Sequence, residues 1–568
     1  FTATFTANNI DDDTNSIAVD LTGVIDTAGN NGTGTAVSAN YTIAMPAAPG
    51  APASVTATAA NEQATVSFTP PTSNGGAKIT GYTVTSSPGG ITATGTASPI
   101  TVTGLTNGTA YTFTVSATNS AGKGAASAAS AAITPYDASS DDGPSTPTTP
   151  QSTAVVEVNG EPQSAGTSAS STKTSGQTVT TVTVDTDKLN TILKSKGTGA
   201  TVTIPVTTGS DIAAGVLTGD MVDSMEENGA TFVIQTEIAT YTLPAAEINI
   251  NAVSERFGEN VTLADIEVTV SIAEPSEDTV TVVENAAEDG GFTLVVPAVD
   301  FTISCSYNGT TVDVSNFNSY VERTIAIPEG VDPSKITTGV VVKPDGTTHH
   351  VPTRVTVIDG KYYAVINSLT NSTYAVVWHP VEFVDVTNHW AKDAINDMGS
   401  RMVVNGVDEK NYASDRNITR AEFAAIIVRA LGLESGMGEN PFGDVKSSDW
   451  YCGYIETASV YEIINGYNNG NFGPNDTITR QQAMVMIARA MKITGLTISL
   501  TGNDISALLG AYTDGAFVSD YAKDCIAACL KTGITSGTGN AMISPKDYIT
   551  RAEVAVMVQR LLQKSGLI

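Results

Sequence analysis

The amino-acid sequence predicts a multidomain chain, all-β through its first two-thirds and mainly α-helical over its last third. Three observations carry that prediction. Positions 1–380 are rich in Thr, Ala, Ser, Gly and Val, and they alternate apolar with polar residues, the pattern of short, half-exposed strands. From residue 381 the apolar spacing turns helical. The same segment carries one unit three times over in fixed register.

Composition bounds the function. At 568 residues the length suits about four domains. Lys and Arg number 28 against 58 acidic residues, a formal charge of −30, which disfavours nucleic acid or an anionic membrane as partner. No run approaches the roughly 18 apolar residues of a membrane span. Phe1 opens no signal peptide and its neighbours already read as a strand, so a fragment or processed form of something longer is expected. Cys305, Cys452, Cys525 and Cys529 form no CxxC pair and match no zinc spacing. Cys525 and Cys529, four apart on a predicted helix, suit core-facing positions.

In chain order, residues 1–45 carry the strand patterns "FTATFTA" and "SIAVDLTGVI" and the turn "DTAGNNG". They resemble the second half of a bacterial Ig-like domain. Asp11, Asp12 and Asp13 with Asp26 form a candidate Ca²⁺ set, against the competing reading of a solvated loop, and no other cofactor is expected. In residues 46–135, "PGAPASVTATAANEQATVSFTPP", "ITGYTVTSS" and "ITVTGLTNGTAYTFTVSATNSAGKGAAS" give strands and turns, with Leu105 before a turn and Tyr111 opening a strand. This segment resembles a fibronectin type III domain, with Phe68 where that family usually has Trp. The resemblance implies a β-sandwich used for spacing or binding.

Residues 136–153 form a Pro/Ser/Thr/Asp linker. Strand patterns return over 154–380, interrupted by one helical pattern, "DTDKLNTILKSKG". Two β-rich domains are expected, 154–300 and 301–380. The tail "VTVIDGKYYAVINSLTNSTYAVVWHP" resembles segments that precede the wall-binding region in surface-layer proteins of Gram-positive bacteria.

The threefold unit spans 381–435, 436–496 and 497–568. Anchored on Gly406, Gly466 and Gly537, an aromatic lies sixteen residues before each (Trp390, Trp450, Tyr521) and an arginine fourteen after each (Arg420, Arg480, Arg551). A second arginine follows nine residues on, at Arg429, Arg489 and Arg560. An aspartate opens each unit: Asp385, Asp444 and Asp514. Each unit reads helix, Gly-containing loop, helix. Thr419 with Glu422 and Thr550 with Glu553 form capping boxes, and Thr479 with Gln482 is the Gln version. Phe423, Ile426, Ile427 and Leu431 mark one buried helix face.

Capping and packing leave Arg420, Arg480 and Arg551 unexplained, since a helix N-terminus is positive. One such residue would read as a solvated charge or a surface pair worth about 0–1 kcal/mol. Three of them beside unsatisfied helix N–H groups read as an anion clamp, amides plus guanidinium. Arg429, Arg489 and Arg560 sit near helix C-termini, where a cation is favourable.

With "FVDVTNHWA" and "ITRAE", residues 381–568 resemble three tandem S-layer homology domains. The resemblance implies a pseudo-threefold helical spindle with ligand grooves between units. It implies non-covalent attachment to secondary cell wall polysaccharide, through a pyruvate ketal gripped by the motif arginine. The aspartates, aromatics and glycines of the repeat are carried along as groove residues. Unit two departs with "TRQQ", and unit three with Tyr521 for Trp, Gly515 for Val and the insertion "TISLTGNDISALLGA". Positions 1–380 hold most of the negative charge, and 381–568 hold more than half of the basic residues.

No HExxH, GxSxG or P-loop occurs, and the four histidines stand in no nucleophile arrangement, so no enzyme is expected in these residues. The expected protein is secreted, anchored at the cell surface and structural, a self-assembling component whose partners are pyruvylated wall polysaccharide and its own copies. A wall-anchored adhesin, or the anchor portion of an exoenzyme with its catalytic domain upstream, are the alternatives.

Overall fold

The computed structural model describes residues 47–135 except 61, 62 and 131, and 152–568 except 174, 259 and 260. Of residues 1–46 it describes only the backbone of four short strands, and of 58–60 the backbone alone. The candidate Ca²⁺ residues Asp11 and Asp26 fall outside the described residues, as does nearly all of the 136–153 linker; for Asp12 and Asp13 only strand backbone is described. The chain packs as two units, Phe1–Ser145 and Thr146–Ile568.

In the first unit, Ala53–Ala60, Gln63–Thr69 and Ile100–Thr103 form a three-stranded antiparallel sheet. Gly122–Ala126, Thr112–Asn119, Gly81–Ser87 and Thr92–Gly95 form a four-stranded one. Alternate residues of both, including Val66, Val84, Val102, Phe113 and Val115, are buried in one cluster. Phe68 lies within it, its ring 4.8 Å from Tyr82. The Tyr111 hydroxyl accepts from the Thr106 amide at 3.1 Å and ties the loop before its strand.

The second unit begins with a β-rich body over 152–378, and here the expected break near residue 300 is corrected. Val299–Tyr307 pairs on one side with Glu267–Ala273 and on the other with Thr373–Trp378. The main buried cluster runs from Val156 to Val376, and a smaller one joins Val283 and Ala298 to Val340 and Val377, so both cores cross residue 300 and no break falls there. The helix Thr186–Lys196 forms where expected, capped by Asp185. Three further helices, Gly219–Glu227, Ile250–Phe257 and Glu277–Gly290, were not expected. The last reads "EDTVTVVENAAEDG", whose Val and Thr favour strands; Ser276 caps it, and Val283, Ala286 and Ala287 bury its inner face.

The β-rich body and the first repeat share a polar seam. The Tyr320 hydroxyl donates to Leu431 O at 2.7 Å, Arg401 Nη1 donates to Thr353 O at 3.0 Å, and Lys343 pairs with Glu434. His349 and His350 are held here beside a cleft of about 390 Å³, each with Nε2 lacking a protein partner among the described residues. Burial and the nearby Lys343, opposed by Glu434, push His349 from 6.5 down to about 4. Burial, Arg401 and His349 push His350 down as well. The unfolded chain therefore binds protons that the folded seam refuses. The stability these neutral imidazoles allow is complete above about pH 6.5 and is lost as pH falls towards 4, on the order of 3 kcal/mol for His349. Amide exchange at Thr348–Val351 should accelerate across that window, and a His349→Gln variant should flatten the response.

Candidate functional site

Each repeat contributes a first helix (Lys392–Ser400, Cys452–Val460, Lys523–Thr532) and a motif helix (Arg420–Ala430, Arg480–Ile493, Arg551–Lys564). The insertion forms an additional helix, Gly502–Gly510. All three capping boxes are present. The motif helices are joined at their N-termini by a closed ring of backbone bonds. Ile418 N donates to Ile549 O, Ile549 N to Ile478 O, and Ile478 N to Ile418 O, at 3.1, 3.1 and 3.3 Å. All three isoleucines are fully buried, so the pseudo-threefold axis runs through apolar contacts.

The motif arginines lie one step out from this ring, and each reaches into the next repeat. Arg420 donates through Nε to Phe472 O at 2.8 Å and through Nη2 to Asn465 O at 2.9 Å. Arg480 donates through Nε to Ile543 O at 2.9 Å. Arg551 donates to Tyr412 O at 2.9 Å and Asn405 O at 2.6 Å, closing the cycle on the first repeat. Aromatic rings stack on two of the guanidinium groups, Tyr467 and Phe472 on Arg420 and Tyr412 on Arg551, at 4.4–4.8 Å.

The clamp with open helix amides does not form, and the reason is geometric. Carbonyls of the next repeat already fill the first two amide positions of every motif helix. Arg420 N and Ala421 N donate to Asp476 O and Pro474 O, Arg480 N and Gln481 N to Asp547 O and Pro545 O, and Arg551 N and Ala552 N to Arg416 O and Ser414 O. The guanidinium group points away from its own helix into the neighbouring loop, so its charge does not oppose the macrodipole at close range.

The aspartates hold the far end of the same loops. Asp385 accepts from Tyr412 N and Ala413 N, Asp444 from Phe472 N and Gly473 N, and Asp514 from Ile543 N and Ser544 N, all at 2.7–2.9 Å. Tyr412, Phe472 and Ile543 are thus gripped twice: by the N–H from their own repeat's Asp and by the C=O from the previous repeat's Arg. The glycines serve close packing. A Cβ on Gly406 would meet Asp408 O at 2.2 Å, and one on Gly466 would meet the Phe442 ring at 2.4 Å. Gly537 additionally has φ +78°. The aromatics of the repeat are the exposed members, with Trp390, Trp450 and Tyr521 59–68 % exposed.

Compared with known proteins, the sequence matches the S-layer homology domain over residues 382–424, 441–484 and 511–555, and the fibronectin type III domain over 49–133. The chain carries three S-layer homology domains and one fibronectin type III domain. It is 30% identical over 347 residues to an amylopullulanase of Thermoanaerobacterium thermosulfurigenes, covering 61% of this chain and 17% of that protein. It is 36% identical over 198 residues to the exoglucanase XynX of Acetivibrio thermocellus, covering 35% and 18%. A surface layer protein of Brevibacillus choshinensis is 36% identical over 138 residues, covering 22% and 12%. The chain therefore spans under a fifth of the length of these relatives. S-layer homology domains are the wall-anchoring modules of surface proteins, and the chain is an extracellular, wall-associated surface protein.

Around the S-layer homology ring the grooves differ in charge. Arg480 pairs with Glu553, and Arg551 pairs with Glu422, which Arg416 also contacts. Burial raises the Glu422 carboxyl, but the Arg416 hydrogen bond, the Thr419 amide and Arg551 outweigh it and hold it below the usual range. Arg420 has no carboxylate within ion-pair distance among the described residues. Its Nη1 has no protein partner among them and is not sealed from solvent, with the Tyr467 ring stacked on the same guanidinium. Tyr467, 41 % exposed, was missed as a groove residue, because its repeat counterparts Val407 and Thr538 are not aromatic. Arg429 donates to the Tyr454 hydroxyl at 3.1 Å, a packing role that joins the first repeat to the second.

Proposed function

We propose that residues 381–568 hold the chain non-covalently on a secondary cell wall polysaccharide bearing pyruvate ketals. The ketal carboxylate meets the outward edge of a motif arginine while an exposed aromatic ring stacks against the sugar. The observation that carries this reading is Arg420, 6 % exposed, its guanidinium stacked on Tyr467 and its Nη1 left without a protein partner among the described residues. A desolvated guanidinium forms a stronger charge-assisted bond than an exposed one. Arg420→Ala is a blunt probe, because it also releases two carbonyls of the second repeat. The clean test changes the ligand. Stripping the ketal from purified wall polymer should weaken co-sedimentation of the chain at least tenfold, and raising salt should do the same to the native complex. Equal binding to stripped and native polymer would sink the carboxylate reading.

For the whole chain we read a structural surface component, without catalysis in these residues, that associates with its own copies. The acidic segment 1–380 would repel between copies, and Ca²⁺ would relieve that repulsion. A second reading is favoured by one observation. The alignment with the amylopullulanase runs over 347 residues, longer than the segment 381–568 that the three repeats occupy, so the match takes in chain upstream of them. That supports a portable anchor made of β-rich body plus repeats, which an exoenzyme can also carry.

A further inference from the structure

We infer that the residue capping each motif helix decides which groove accepts an anion, and that Gln482 makes the Arg420 groove the carboxylate-binding one. This rests on the anchor reading above and goes beyond it, since that reading does not say what sets the Arg420 groove apart from the other two.

The third residue after each N-cap threonine performs two tasks. Glu553 accepts the Thr550 amide through Oε2 at 3.0 Å while Oε1 pairs with Arg480 of the previous repeat. Glu422 accepts the Thr419 amide through Oε2 at 3.0 Å while Oε1 pairs with Arg551 at 3.4 Å and with Arg416. By the same threefold correspondence, Gln482 faces Arg420. Its Oε1 accepts the Thr479 amide at 2.8 Å, so the terminal atom left over is Nε2, a donor that cannot accept from a guanidinium. One oxygen exchanged for one nitrogen keeps the cap and removes the counter-charge.

The surroundings reinforce the difference. Near Arg420, Asp476 accepts from the Tyr467 hydroxyl at 2.9 Å and Asp444 accepts from Phe472 N and Gly473 N, and neither forms an ion pair with the guanidinium. At Arg480, Glu553 occupies Nη1, so a carboxylate arriving at Nη2, which has no protein partner among the described residues, would face the Glu553 charge. At Arg551, Nε, Nη1 and Nη2 are all held. Like charges at a desolvated contact repel strongly, so a glutamate at the capping position excludes an incoming carboxylate.

Gln482→Glu and Glu553→Gln test the inference in the full chain. Both keep a capping box that already occurs elsewhere in this protein, so both should fold with melting temperatures near that of the parent. The probes are a methyl hexoside carrying a pyruvate ketal and the same sugar without it, titrated calorimetrically. The parent should bind the ketal sugar at one site and bind the plain sugar at least tenfold more weakly. Gln482→Glu should lose at least tenfold in affinity for the ketal sugar and become insensitive to salt, with its affinity for the plain sugar unchanged. Glu553→Gln should add a second ketal site. A Gln482→Glu protein that binds the ketal sugar as the parent does would overturn the inference and leave the anchor reading standing. Occupancy of the Arg480 groove in a ligand-bound parent structure would do the same. A parent that fails to distinguish the two sugars would overturn the anchor reading itself.

Discussion

Replacing Arg323 by Ala is expected to destabilise the β-rich body by about 3–5 kcal/mol. Arg323 is fully buried, with Nη1 donating to Val321 O at 2.9 Å and Nη2 to Thr370 O at 2.6 Å and Asn371 Oδ1 at 2.8 Å. Four rings enclose its guanidinium, with Tyr374 and Tyr241 centroids at 4.8 and 5.0 Å and Phe301 and Phe317 at 5.6 and 5.7 Å. No carboxylate pairs with it among the described residues, so the charge is held by carbonyl dipoles and ring faces. Truncation empties the ring cage and leaves the carbonyls without donors. Arg323→Met should recover the packing share alone, and Arg323→Lys should recover little, because an ammonium lacks the planar fork. The measurement is amide exchange in the strands Ala239–Pro244 and Asn316–Ala326, which flank the cage. A loss of protection below tenfold in Arg323→Ala would show that the cage contributes little.

Asp514→Ala is expected to unpin the third repeat at a cost of about 3–5 kcal/mol. Its carboxylate, in a residue 6 % exposed, accepts from Ile543 N at 2.8 Å and Ser544 N at 2.7 Å, and each such charge-assisted bond contributes about 1.5–3 kcal/mol. Ile543 O is the acceptor for Arg480, so the loss spreads to the second repeat. Asp514→Asn keeps one acceptor and should recover less than half. The change should appear without any ligand, as a lower melting temperature and faster exchange over 535–550. A melting temperature unchanged from the parent, with sugar binding lost, would return Asp514 to the ligand.

Much of the repeat was legible because its information is local. Thr419 and Glu422 lie three residues apart and cap their helix, and Phe423, Ile426 and Ile427 fall on one face. The register of Gly, Arg and aromatic gave the threefold order. The partners of the arginines were not legible, because they are backbone carbonyls 45 and 52 residues from Arg420 and 139 and 146 from Arg551. A carbonyl is the same in every residue and leaves no mark in a sequence. For the same reason the aspartates and glycines read as groove residues, although they hold and accommodate loops. In the β-rich body, the break expected near residue 300 fell inside the strand Val299–Tyr307, whose pairing partners lie on both sides of it in sequence. The Val- and Thr-rich helix Glu277–Gly290 hid for a different reason: tertiary burial of three positions outweighed the strand preference of the rest.

The cycle Ile418–Ile549–Ile478 closes in space although the chain that makes it is open. A tether bears tension, and in a closed circle of three every member is held by two joints. A pull applied at Arg420 would load the joint between the first and second repeats directly and the other two joints through the circle. One joint can yield while the remaining pair keeps all three members packed in register, so opening the ring requires two failures close together in time. A linear string of the same three modules would unpack at its weakest joint.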